Sequence, residues 1–107
     1  MGKATKTVKF TWNAAGRVAV AVSPDLRPLD DFLETEIGES LSTLALITGR
    51  VRAGEPWAFG GDCCHLTVRA GEVCLENDFT GCRVTLAGAE FLDIAGEFER
   101  AVRAGRG

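Results

Sequence analysis

Only one histidine, His65, occurs in the 107 residues, so any acid–base mechanism built on an imidazole must run through that side chain. It shares the polar side of an expected strand with Cys63 and Thr67, a position that usually holds a plain surface group. No glycine-rich loop stands between a strand and a helix, despite thirteen glycines. That removes the phosphate cradles of P-loop and dinucleotide sites and leaves the glycines to turns. No long apolar run exists either. The longest, Leu41 to Ile47, is interrupted by Ser42 and Thr43 and falls far short of the roughly 20 residues a membrane span needs. There is no internal repeat and no low-complexity tract. The basic start, Met1 to Lys6, is followed by no apolar h-region, so it does not read as a secretory leader and a cytoplasmic location is expected.

Also missing is a basic surface. Residues 1–24 carry Lys3, Lys6, Lys9 and Arg17 without an acid, but Asp25, Asp30, Asp31, Glu34, Glu36 and Glu39 then face Arg27 alone, and the net charge is −3. Direct nucleic-acid binding requires the opposite sign, so the expected partner is a basic protein.

What the chain does have is length and composition for one domain, residues 1–107, with its own core. Val8, Phe10 and Trp12 alternate with Thr7, Lys9 and Thr11 in a strand expected over Thr5 to Trp12. After the turn Asn13 to Gly16, Val18, Val20 and Val22 alternate in a second strand, which predicts a hairpin. Leu29, Phe32, Leu33, Ile37, Leu41, Leu44 and Ile47 recur at helical spacing, with Gly38 placed to kink or split the helix. Trp57 to Phe59, Cys63 to Val68, Glu72 to Glu76 and Arg83 to Ala87 read as a meander, with a polar loop over Asn77 to Gly81. Gly88 then opens a helix with the stripe Phe91, Leu92, Ala95, Phe98 and Val102, and Arg100, Arg103 and Arg106 suit its C-terminal dipole. The expected fold is α+β: an antiparallel sheet of five to six strands in the order ββαββββα, with two main helices on one face.

Soft ligands are present in Cys63, Cys64, His65, Cys74 and Cys82. Adjacent strand residues point to opposite faces, so Cys63 and Cys64 are expected to face apart, and zinc knuckles space their ligands differently. Neither a metal site, a cofactor nor a catalytic residue is therefore assigned. A thiol- or metal-dependent enzyme built on these five residues is the least favoured reading. The favoured contacts are acidic: Asp30, Asp31 and Glu34 on the first helix, and Glu76 and Asp78 around the polar loop.

Several short runs carry a resemblance along nearly the whole chain. They are Phe10-Thr11-Trp12 with Gly16, Phe32-Leu33-Glu34-Thr35-Glu36-Ile37, Trp57-Ala58-Phe59-Gly60-Gly61, Leu66-Thr67-Val68, Val73-Cys74-Leu75-Glu76-Asn77 and Glu90-Phe91-Leu92-Asp93-Ile94. In these the chain resembles the small bacterial YacL-like family and the related immunity proteins of contact-dependent growth inhibition systems. The Cys63-Cys64 pair and the short loop after Asn77 depart from the pattern. The resemblance implies a cytosolic antitoxin, not an enzyme, that blocks a cognate toxin domain, often a nuclease with a basic cleft. The alternative it implies is a housekeeping YacL-like domain with another protein partner.

Overall fold

Alternation and turn chemistry set the first unit of the computed structural model, which describes residues 7–105. Strands β1 (Val8–Trp12) and β2 (Val18–Val22) pair antiparallel, with Phe10 opposite Val20. Asn13 closes the turn by accepting the N–H groups of Ala15 and Arg17 on its Oδ1. Residues 5 and 6 of the expected first strand lie outside the described residues, as do Lys3 and Arg106.

The helical stretch after β2 is split. A short 3₁₀ turn (Pro24–Leu26) leads to α1 (Leu29–Asp31), which continues as a wider π-helix over Phe32–Ile37. Gly38 stops it by donating five residues back to the Leu33 carbonyl, at a φ of +56° that glycine adopts without steric cost. A separate helix, α2 (Leu41–Ala53), then starts and ends at Gly54, whose φ is +75°.

The remaining chain forms β3 (Trp57–Gly60), β4 (Cys64–Arg69), β5 (Glu72–Asn77) and β6 (Arg83–Ala87), followed by α3 (Gly88–Gly105). The strands make one antiparallel meander in the order β3-β4-β5-β6, while β1 and β2 form their own two-stranded sheet. The α+β class and the meander are as expected. The separate hairpin is not, because β1 is drawn onto α3: the Phe10 and Phe98 rings meet at 5.9 Å and Trp12 Nε1 donates to the Ala101 carbonyl at 3.0 Å.

Register places Cys64, Leu66 and Val68 beside Asn77, Leu75 and Val73 on one face of the meander. All six are buried, and all but Asn77 share a core with Phe32, Leu33, Leu44, Ile47, Phe91, Ala95 and Phe98 from the helices. Fully burying each large apolar side chain contributes on the order of 1.5–3 kcal/mol. The opposite face carries Gly60, His65, Glu76 and Arg83 in one row and Ala58, Thr67, Cys74 and Thr85 in the next. No helix among the described residues is long and apolar enough to cross a membrane.

Candidate protein-binding surface

The acids expected to form a free negative face on the first helix are engaged within the chain, with Asp30, Asp31 and Glu36 half-buried and Glu34 exposed. Glu34 and Glu36 stand two residues apart, so they leave the helix in divergent directions. Glu34 Oε1 accepts the N–H of Val20 at 2.8 Å and ties the helix to β2. Glu36 reaches the other way, into the loop between β3 and β4, where its carboxylate accepts the N–H groups of Asp62, Cys63 and Cys64 at 3.1, 2.9 and 3.1 Å. Partial burial pushes the Glu36 carboxyl up, but the three backbone donors outweigh it and hold the group below its ordinary value. Gly61 makes this cradle possible, because a Cβ there would fall on the Glu36 carboxylate.

Asp31 is engaged too. Its Oδ2 accepts from Asn77 Nδ2 at 2.9 Å. Asp30 lies 4.0 Å from Arg27 Nε, and its buried Oδ1 has no hydrogen-bond partner among the described residues. Asp31 and Glu34 thus each hold a group of their own chain, and Glu34 remains exposed. The local pattern could not show this, since the groups they hold are far away in the chain.

Glu76 and Asp78 have a different setting. They flank His65 on the open side of the meander: Asp78 Oδ1 lies 2.6 Å from Nδ1 and Glu76 Oε1 lies 3.6 Å from Nε2, with Arg83 Nε 3.6 Å from the same Glu76 oxygen. The pairings join β4, β5, β6 and the loop after β5 into one charged patch.

That loop is held by hydrogen bonds within the chain. Asn77, the one buried polar residue among the described residues, is 6% exposed. Its Oδ1 accepts the N–H groups of Phe79 and Thr80 at 2.8 and 3.0 Å. Asn77 itself donates to the Cys82 carbonyl, Asp78 donates to the Cys63 carbonyl and Gly81 donates to the Asn77 carbonyl, each at 2.8 Å. Cys82 donates to Thr80 Oγ1 at 3.1 Å. Every backbone N–H from Asn77 through Cys82 thus has a partner inside the molecule. In this loop Phe79 stands 79% exposed. Reading the segment as a polar loop passed over Phe79; the signal was an aromatic residue set between turn formers, Asn77-Asp78 and Thr80-Gly81.

The thiols are also placed differently from the strand pattern. Cys63 precedes β4 and lies in the bend, so its side chain is free of the strand's alternation. Its Sγ meets Cys64 Sγ at 3.3 Å, where the two were expected to face apart. All four cysteines are free thiols, and among the described residues no three His, Cys, Asp or Glu side chains converge on a point that would suit a metal. Cys63 contacts Cys64 while both ring nitrogens of His65 face carboxylates.

No protein-family model, curated protein or solved structure matches this chain. Its surface alone supplies the functional argument. The loop sets an exposed aromatic side chain on backbone whose N–H groups are satisfied internally, beside the carboxylates of Glu76 and Asp78.

Proposed function

We propose that this chain is a protein-binding domain, and specifically an immunity protein that neutralises a cognate toxin domain by covering its active site. The carrying observation is Phe79, held out from a loop whose backbone N–H groups are all satisfied internally. A large apolar side chain left in water by a fully ordered loop gains most by insertion into a partner's pocket. Little ordering entropy is then lost on binding. Asp78 and Glu76 beside it, with exposed Asp62 on the neighbouring loop, would meet the basic rim of a nuclease cleft and steer the encounter.

The test is co-purification with a candidate toxin domain, then calorimetry with Phe79→Ala and Asp78→Lys. An anchoring Phe79 weakens binding by about 30-fold or more, the effect of a hot spot of roughly 2 kcal/mol. Unchanged affinity in both variants would remove this surface from the interface. A toxin-bearing gene directly upstream is expected for an immunity protein and not for a housekeeping YacL-like domain.

A further inference from the structure

The binding surface makes no use of Cys63 and Cys64, yet they sit directly beneath it. Cys64 is fully buried and Cys63 is partly exposed, so an external reagent meets Cys63 first, with the second sulfur waiting 3.3 Å away. The Cys63 carbonyl accepts the N–H of Asp78 at 2.8 Å, and Glu36 holds the N–H of both cysteines. One peptide unit therefore connects the thiol pair to the base of the Phe79 loop and to the Glu36 cradle.

We propose that Cys63 and Cys64 form a reversible thiol-exchange site, at which a low-molecular-weight disulfide converts the pair to a vicinal disulfide and loosens the Asp78 end of the docking loop. In the first step the Cys63 thiolate attacks one sulfur of the reagent. A mixed disulfide forms and one reagent thiol leaves. In the second step Cys64 attacks the Cys63 sulfur, the mixed disulfide breaks, and the second reagent thiol leaves. The protein loses two hydrogens and two electrons, and the reagent disulfide is reduced to two thiols.

The product is a strained bond. Consecutive Cα atoms lie about 3.8 Å apart across a trans peptide, short of the 4.4–6.8 Å usual between bridged cysteines. Such a bond is readily reduced, as suits a reversible site. Closing it draws the sulfurs together to about 2.0 Å and turns the peptide unit between them. The same peptide unit carries the Cys63 carbonyl that receives Asp78 and the Cys64 N–H that Glu36 accepts. Burial pushes both thiols up, and the Glu36 and Asp31 carboxylates that face them add to the rise. The first step therefore accelerates as pH rises through neutrality.

The thiol chemistry stands without the function proposed above; only its consequence for a partner rests on that reading. The full chain, in a Cys74→Ser/Cys82→Ser background that keeps the pair, is incubated with oxidised glutathione and read by intact mass and thiol titration. The expected product has lost two hydrogens, has no free thiol, and returns to the dithiol with a monothiol reductant. Cys64→Ser stops at one stable glutathionyl adduct on Cys63. Amide exchange at Asp78 rises roughly tenfold or more on oxidation, as local opening predicts, and no partner is needed to see it. A glutathionyl group that persists on Cys63 with Cys64 present, or a bridge between two chains, overturns the proposal. Unchanged Asp78 exchange in the oxidised form overturns the coupling to the loop. Loss of partner binding without any such oxidation bears on the docking reading alone.

Discussion

Asn77 Nδ2 donates to Asp31 Oδ2 at 2.9 Å across 46 positions of sequence. This bond joins the acidic helix to the base of the loop that presents Phe79, and it fixes the Asn77 amide so that its Oδ1 can receive two loop N–H groups. The orientation of one buried amide thus sets the shape of the exposed surface.

Replacing Asn77 by Ala should destabilise the fold by about 2–3 kcal/mol, because Asp31 loses its donor and the Phe79 and Thr80 N–H groups lose their acceptor. Asn77→Asp keeps the acceptor but sets a carboxylate against Asp31, so it should also destabilise. Urea unfolding measures both. An Asn77→Ala variant as stable as the parent would show that the amide network is not what holds the loop.

Glu36→Gln should cost about 1–3 kcal/mol near neutral pH by weakening three bonds to a charged acceptor. The sign of its pH dependence follows from the lowered carboxyl. The stabilisation is fully present above the range in which the unfolded carboxyl titrates. It is lost as pH falls through the lower folded value. The gap between parent and variant in denaturant titrations should therefore narrow in acid; a gap that widens would contradict the cradle.

Two glycine substitutions should move in opposite directions. Gly61→Ala places a Cβ on the Glu36 carboxylate and should destabilise by about 1–3 kcal/mol. Gly49 lies inside α2 with nothing within 4 Å of a Cβ, so Gly49→Ala should stabilise by roughly 0.5–1 kcal/mol. Thermal melts of the pair separate a glycine required by close approach from one that is not.

Phe79→Ala should leave the unfolding free energy within the scatter of surface substitutions, about ±0.5 kcal/mol, because the residue is 79% exposed; urea unfolding measures it. A marked loss of stability would mean that Phe79 packs on its own chain, and would remove the argument that it awaits a partner.

Period-two alternation in Val18, Val20 and Val22, and again in Leu66, Val68, Val73 and Leu75, made the strands legible, because in a half-buried sheet the side-chain period follows from the backbone. The α3 stripe from Phe91 to Val102 was legible for the equivalent helical reason. Gly38 was readable as a break, and the structure ends the π-helix there. The roles of the acids were not legible. Whether a carboxylate faces water or a distant N–H depends on which loop folds against it, and helical spacing is the same in both cases.

Composition and periodicity by themselves determined an α+β chain with a hairpin, a meander and an amphipathic C-terminal helix, since these depend on neighbours a few residues apart. Tertiary structure alone decided that the hairpin leaves the meander to lie on α3, that Glu34, Glu36 and Asp31 are ties, that the Cys63 and Cys64 sulfurs touch, and that Phe79 stands in the open. The hairpin's place and the carboxylate ties depend on groups brought together from remote positions, and the sulfur contact and the exposure of Phe79 depend on how the loops bend, so none of them carries a period in the sequence.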